Sequence, residues 1–302
     1  MAKVVQGWKP MLAVSANVEN LDKLDYPVNV EIKHDGIRCH ILMDDEGNTA
    51  SFTRDGNALY STDSIEQWLR TNVDITKMYK EGTTVIFDGE LVSPDGFEKA
   101  SSLARRHQDA GNDLVYVIFD VITVDDYKNG VSEAYHQERW GNLWRLLSDH
   151  TLTDGWEPVP DTTHIVRFAD SYEVTSPIEL EEYYTKALDL GAEGIVAKSP
   201  NGYWYAKKHT DWVKIKPKLT AYVKVVGLVV GKGKHRGRLG KLIVDYEGKR
   251  VGVGTGFTDT QREEMWRTQA NVLGRTVEVE YQELTKKGSL RHPVFKHFRY
   301  YK

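Results

Sequence analysis

Between residues 28 and 43, apolar and polar positions alternate in two runs, Val28-Asn29-Val30-Glu31-Ile32 and Ile37 to Met43, interrupted by Lys33-His34-Asp35-Gly36. A period of two predicts half-buried strands, and an Asp-Gly pair predicts a turn between them. The pattern therefore predicts a hairpin over residues 28–43 with Lys33 at a strand end. A second reversal at Asp45-Glu46-Gly47-Asn48 predicts a return strand through Ala50 to Thr53 and into Arg54-Asp55-Gly56, which puts Arg54 near Lys33 on one small sheet. Residues 1–26 are weakly patterned and read as a lead-in.

Further along, Asp63 and Glu66 have the spacing of a capping box and predict a helix over residues 64–71. Residues 83–87 read as a buried strand entering an acidic turn, Asp88-Gly89-Glu90-Leu91. Residues 114–121 read as an apolar strand holding Phe119-Asp120. Trp140, Leu143, Trp144 and Leu147 have the spacing of a helix's buried face. Ser176-Pro177-Ile178-Glu179 combines an N-cap, a first-turn proline and a capping-box glutamate, and Gly191 closes the helix about four turns later. Glu193-Gly194-Ile195-Val196-Ala197-Lys198 and Trp212-Val213-Lys214-Ile215-Lys216 follow. Beyond them, β-rich runs at 221–230, 240–246, 250–253 and 276–284, with a helix at 259–273, predict a five-stranded Greek-key barrel of the OB type.

Composition adds a boundary to this picture. The 302 residues, 40% hydrophobic, suffice for one or two packed domains. The net charge of −4 is unevenly divided: residues 1–216 carry 22 Lys+Arg against 36 Asp+Glu (−14), and residues 217–302 carry 18 against 8 (+10). That asymmetry predicts two domains, 1–216 and 217–302, the second with a basic face for a polyanion. The single cysteine, Cys39, excludes a disulfide framework and a four-cysteine zinc site, and it predicts a reducing, intracellular setting. No signal peptide is legible in residues 1–10 and no apolar run is long enough to span a membrane, so a soluble, cytosolic protein with no membrane partner is expected.

The strand-end lysine brings in the chemistry. A lysine attacks phosphorus only as the neutral amine, and an unperturbed pKa of ~10.4 leaves well under ~1% neutral at pH 7. Nearby cationic charge or desolvation must depress it, and Arg38 across the turn is the first candidate. In order, the chain presents Lys33-x-Asp35-Gly36-x-Arg38, Arg54-x-Gly56, Asp88-Gly89-Glu90, Phe119-Asp120, Glu193-Gly194-x-x-x-Lys198 and Lys214-x-Lys216. Each is a weak signal alone. The ordered set resembles the covalent nucleotidyltransferase superfamily and, most closely, the minimal ATP-dependent DNA ligases of phages and bacteria, from about Val28 to the C-terminus. Gly231-x-Gly233 and Gly252-x-Gly254-x-Gly256-Phe257-Thr258-Asp259 look like a DNA ligase OB domain, and Gly288-Ser289-Leu290-Arg291-His292-Pro293-x-Phe295 with Arg299 is similar to the tail of short phage ligases. NAD-dependent ligases share the lysine motif but add a four-cysteine zinc site, and no P-loop motif occurs.

The resemblance implies an α+β fold: a nucleotidyltransferase (adenylation) domain of antiparallel sheets with packed helices, then a small OB-fold β-barrel that binds DNA. It implies ATP and Mg²⁺ as cofactors, nicked double-stranded DNA as the partner, a monomer, and the cytoplasm of a bacterium or a phage-infected host. Lys33 would be the nucleophile on the ATP α-phosphate, Glu31 would meet the adenine, and Phe119 would stack on it. Arg38 and Arg54 would hold ribose or phosphate oxygens, Arg54 with the nick 5′-phosphate as an alternative. Glu90 and Glu193 would be Mg²⁺ ligands or outer-shell acceptors, with a ribose hydroxyl as the alternative for Glu90. Lys198, Lys214 and Lys216 would neutralise the α-phosphate. Lys232, Lys234, Arg236 and Arg238, in a Gly-rich loop, would close on DNA phosphates. The family's longer basic C-terminal motif, which orients pyrophosphate, is reduced here to residues 291–302, with Arg291, Lys296 and Arg299 as substitutes. The rival readings are an RNA ligase and a non-catalytic nucleic-acid-binding scaffold of the same fold.

Overall fold

The two alternating runs around Lys33 do form strands, but they enter different sheets. The computed structural model describes residues 7–158, 162–285 and 287–299. The chain divides into two compact units, Met1–Lys216 and Pro217–Lys302. In chain order the first contains β1 (Leu12–Ala16), β2 (Val28–Ile32), β3 (Ile37–Asp44), β4 (Thr49–Thr53), α1 (Asp63–Asn72), β5 (Thr84–Val92), α2 (Phe97–Ala104) and β6 (Val115–Thr123). It continues with α3 (Val124–Asn129), β7 (Val131–Ser132), α4 (His136–Leu147), β8 (Val166–Phe168), β9 (Tyr172–Val174), α5 (Pro177–Asp189), β10 (Ile195–Lys198), β11 (Trp204–Tyr205) and β12 (Lys208–Ile215). One sheet has the order β1-β12-β10-β2-β9, another β4-β3-β5-β6-β8, and β11 pairs with β7.

The expected hairpin over residues 28–43 is therefore not one. β2 pairs with β10 and β9, whereas β3 pairs with β4 and β5. Residues 33–36 carry the chain from sheet to sheet, so Lys33 lies in the crossing and Arg54 in the turn after β4, not on one sheet. Gly36 is required at this point, because a Cβ there would stand 2.1 Å from the Leu91 carbonyl oxygen.

Four other expectations are corrected. The lead-in is structural: β1 runs parallel to β12, with Leu12 opposite Lys208, and Trp8 and Met11 are buried. Its first six residues lie outside the described ones. Asp88-Gly89-Glu90 is not a turn but the middle of β5. Trp144 is 51% exposed, because α4 turns His136, Arg139, Leu143, Leu146 and Leu147 inward. At α1 the N-cap is Thr62, one residue before the predicted Asp63. Glu66 bends away from the helix end to accept the hydroxyls of Thr49 (2.8 Å), Ser51 (2.5 Å) and Thr62 (3.2 Å). α5 starts as its sequence indicates, with the Ser176 hydroxyl accepting the Glu179 N–H at 3.3 Å.

Helices α1, α2 and α4 bury Leu69, Leu103 and Leu143 with Ile41 and Phe87 of the second sheet. Helix α5 buries Leu180 with Val30, Ile195 and Ile215 of the first. A third cluster combines Met11 and Trp212 with Phe52 and Ile86, joining residues of both sheets.

The second unit contains β13 (Leu219–Val230), β14 (Leu239–Tyr246), β15 (Lys249–Val253), α6 (Asp259–Arg267), α7 (Gln269–Val272), β16 (Thr276–Tyr281) and β17 (Val294–Phe298). Its sheet order is β15-β14-β13-β16-β17, around Val223, Val225, Leu242, Val253, Val277 and Phe295. The predicted barrel is not closed: past β15 and at the start of β17 the edges meet at one bridge, Thr255 to Val294. The predicted single helix breaks at Thr268 into α6 and α7. Among the described residues, no helix is long and apolar enough to cross a membrane.

Candidate active site

Strand register decides which side chains meet. Val196 of β10 pairs with Glu31 on one side and with Lys214 on the other, so one row across the first sheet presents all three to the same face. With side chains alternating, Lys198 shares the Val196 face, and Trp212 and Lys216 share that of Lys214. In the second sheet Arg38 pairs with Glu90. A cleft of about 690 Å³ is lined by Glu31, Lys33, Arg38, Arg54, Glu90, Phe119, Lys198 and Lys214. Eight of the side chains singled out in the first unit thus converge there. Glu193 and Lys216 do not line the cleft and join the site through Lys33.

Lys33 is held at both ends of the residue. Its N–H donates to the Gly194 carbonyl at 3.0 Å, and its ammonium pairs with Glu193 Oε2. Lys216 pairs with the other oxygen of Glu193. Burial pushes the Glu193 carboxyl up, but Lys33 and Lys216 outweigh it and hold the group below the usual range. Gly194 sits at φ +144°, and a Cβ there would lie 2.1 Å from the Ile215 carbonyl oxygen, so the loop reaches Lys33 only with glycine at this position.

Glu31 and Lys198 are paired beneath the cleft. Lys198 Nζ donates to Glu31 Oε2 at 2.6 Å and to the Phe119 carbonyl at 2.9 Å, and both side chains are buried. His136 Nε2 lies 3.4 Å from the remaining Glu31 oxygen. Lys198 thus takes one oxygen of Glu31, whereas Glu31 Oε1 has no hydrogen-bond partner among the described residues, and Lys198 reaches a phosphate only by leaving this pair. Arg38 likewise holds Asp88 with two hydrogen bonds, at 2.9 and 2.6 Å. Burial would raise Asp88, but Arg38 and then His40 hold its carboxyl well below the usual range. The positive charge expected from Arg38 is therefore locally compensated. Its guanidinium stands 5.4 Å from the Phe119 ring centre and 5.6 Å from that of Trp212.

Two groups carry strong shifts. Glu90 opens on the cleft yet is crowded by protein, and this desolvation raises its carboxyl to about 7, against the pull of Lys33 and Arg38 and with help from Glu193. Burial, then the charges of Lys216 and Lys33, push the Lys214 amine below its ordinary value. Among the described residues no cluster of three or more Asp, Glu, His or Cys side chains forms a metal cage. Mg²⁺ commonly takes one or two carboxylates from a protein, with phosphates and water completing its shell; here Glu90 opens on the cleft, whereas the two oxygens of Glu193 pair with Lys33 and Lys216.

Several residues of this region carry no motif signal. Trp212, Lys208, Arg105 and His34 also line the cleft. His34 is buried between the Pro158 carbonyl at 3.1 Å and Asp154 at 2.8 Å. Asp120 of the Phe119-Asp120 motif holds the buried Arg139 at 2.8 and 3.0 Å. The Trp212-x-Lys214 spacing could have flagged Trp212 as a cleft residue, since residues two apart on a strand share a face.

In the second unit Gly233–His235 forms a 3-10 turn. Arg238 pairs with Glu263 at 2.8 Å and Asp259 at 3.5 Å on α6, so it is committed within the unit; among the described residues no carboxylate pairs with Lys232, Lys234 or Arg236. Of the basic residues near the end of the second unit, Arg291 pairs with Glu283, Lys296 with Glu280 at 3.2 Å, and Arg299 stands 4.5 Å over the Tyr222 ring.

Residues 10–216 match the family model described as ATP dependent DNA ligase domain, and residues 230–299 the one described as DNA ligase OB-like domain. The DNA ligase of Escherichia phage T7 is 26% identical over 347 residues, covering 94% of this chain and 93% of that protein. The DNA ligase of Thermococcus onnurineus (strain NA1) is 26% identical over 311 residues, covering 94% of this chain but 52% of that protein, so the chain spans about half the length of this archaeal relative. The solved structure called "Pmar-Lig_Pre." superposes with a TM-score of 0.79 at 25% identity, covering 98% of this chain and 68% of that one.

Proposed function

The chain belongs to the ATP-dependent DNA ligase family, and on that premise we propose that it seals 5′-phosphate/3′-hydroxyl nicks in duplex DNA through an adenylate carried on Lys33. The observation that carries this reading is the Lys33 amine at the crossing between the two sheets, in the cleft and paired to Glu193.

The neutral amine attacks the ATP α-phosphorus. A P–N bond forms, the bond to the bridging oxygen breaks, pyrophosphate leaves with that electron pair, and the amine's proton is released. An oxygen of the nick 5′-phosphate then attacks the adenylate phosphorus, a P–O bond forms, and the P–N bond breaks with its electron pair returning to the Lys33 nitrogen, which takes up a proton. In the last step the 3′-hydroxyl attacks the 5′-phosphorus, loses its proton and expels AMP.

Within the protein, Glu193 aims the amine, and Lys214 and Lys216 add positive charge to the same region. Phe119 and Trp212 form the apolar wall suited to a purine. Glu90 and Glu193 would hold Mg²⁺, which supplies charge neutralisation at phosphate oxygens. Arg54, exposed in its turn and lining the cleft, takes the nick 5′-phosphate. Lys232, Lys234 and Arg236 of the second unit contact DNA phosphates. The same reading has the chain acting as a monomer in the cytoplasm, and its single, buried cysteine fits a reducing compartment.

The test is incubation with α-labelled ATP and Mg²⁺, followed by a chase with nicked DNA and nicked RNA duplexes. Label on the protein that moves to DNA and is released as AMP on sealing is expected. An unlabelled protein, or sealing confined to RNA, refutes the proposal.

A further inference from the structure

Arg105 caps the C-terminal end of α2, Arg106 follows it, and both side chains are exposed. Arg105 lines the cleft together with Arg54. Among the described residues, no carboxylate pairs with Arg54, Arg105 or Arg106. The helix dipole favours a cation at such an end, but it does not account for how firmly this segment is fixed. The Ala110 N–H donates to the Ser61 carbonyl at 3.1 Å, and the Ser61 hydroxyl to the Ala104 carbonyl at 3.3 Å. Asp109 accepts the Ser64 N–H at 3.1 Å. The rings of Tyr60, 37% exposed, and His107 stack at 5.1 Å. Residues 105–110 are thus tied at several points to residues 60–64, and the arginines between these ties are exposed without an anionic partner.

We propose that this segment is a phosphodiester-binding rim of the first unit, in which the Arg105 and Arg106 guanidiniums take backbone phosphates of the nicked duplex. Guanidinium forks suit this role, since their planar donors match pairs of phosphate oxygens. The inference rests on the proposed DNA-sealing reading and adds two residues that the motif pattern does not contain. The backbone that carries the rim is held in place before the duplex arrives, so only the two side chains remain to be ordered on binding.

The test measures binding of a nicked duplex to unadenylated protein, without ATP, from low to moderate salt. Wild type is compared with Arg105→Gln/Arg106→Gln and with Arg105→Lys/Arg106→Lys. Each lost phosphate contact should lower the salt slope by about 0.9. The glutamine pair should therefore lose about 1.8 of slope, and the lysine pair, which keeps both charges, should retain it. Nick sealing by the glutamine pair should fall at least about 10-fold more than its self-adenylation, because only sealing needs the duplex. An unchanged slope in the glutamine pair overturns the proposal. So does a loss of self-adenylation equal to the loss of DNA binding, which would assign these arginines to the phosphates of ATP. Because binding is read without ATP, a wild-type protein that binds with the expected slopes but never takes label would refute the ligase reading and leave the rim standing.

Discussion

Asp154→Asn is the most informative perturbation of the ground beneath the nucleophile. His34, next to Lys33, is bonded at both ring nitrogens to groups that only accept: the Pro158 carbonyl at 3.1 Å and Asp154 Oδ2 at 2.8 Å. Both contacts are hydrogen bonds only when both nitrogens carry protons, so the ring is the imidazolium. Burial pushes its pKa down, but the Asp154 hydrogen bond and charge, with the Pro158 carbonyl, hold it above its ordinary value. Asp154 Oδ1 is already taken by the N–H groups of Trp156 at 3.0 Å and Asp170 at 3.1 Å. An asparagine can keep those bonds through its oxygen and turn its amide nitrogen toward a neutral His34, which removes the charge and keeps the shape.

Hydrogen bonds to charged groups contribute about 1.5–3 kcal/mol and neutral ones about 0.5–1.5 kcal/mol, so the variant should lose about 1–2 kcal/mol where His34 is charged. A raised histidine pKa gives stability that is complete below the unfolded value of about 6.5 and is lost as pH rises through the folded value. The gap between wild type and variant should therefore be full at about pH 6 and close on the alkaline side. Urea unfolding followed by tryptophan fluorescence measures it for the first unit, which holds every tryptophan except Trp266. A gap that does not change with pH, or a ring that nitrogen NMR shows to be neutral at about pH 6, refutes the reasoning.

Three more outcomes follow from the same contacts. Asp120→Ala strands the buried Arg139 and should cost about 3–5 kcal/mol in urea unfolding, whereas Asp120→Leu with Arg139→Met should cost much less. Gly194→Ala forces a Cβ against the Ile215 carbonyl, so self-adenylation should drop sharply and stability fall by about 1–3 kcal/mol, read from the labelling rate and the urea midpoint. Glu193→Ala should cost about 10- to 100-fold in Mg²⁺ affinity or labelling rate; wild-type rates at limiting Mg²⁺ would remove its metal role.

What was legible in the sequence was local. The alternation around Lys33, the cap at Ser176 and the charge step near Pro217 all depend on neighbouring residues, and each has its counterpart in the structure. Pairing partners were not legible. The same alternation suits a hairpin or two strands of different sheets, and the distant partners, β10 and β9 for one strand and β4 and β5 for the other, decide between them. β1 gains its place by pairing with β12, nearly the whole first unit away in sequence. Lys198 reads as a phosphate-facing cation until the register brings it to Glu31. His34 and Asp154, or Asp120 and Arg139, carry no shared motif, because a buried ion pair constrains distance in space and not spacing in sequence. Trp144 misled because its spacing fits the buried face of α4 at one edge only.

The central claim is that the Lys33 amine is the nucleophile, and self-adenylation of Lys33→Ala and Lys33→Arg tests it most directly. Arginine keeps the charge and much of the length but does not shed its proton, so it cannot attack. Wild type, incubated with α-labelled ATP and Mg²⁺, should take label. Both variants, folded by circular dichroism, should take none. Label on either variant at the wild-type level would contradict the account and move the covalent chemistry to another residue.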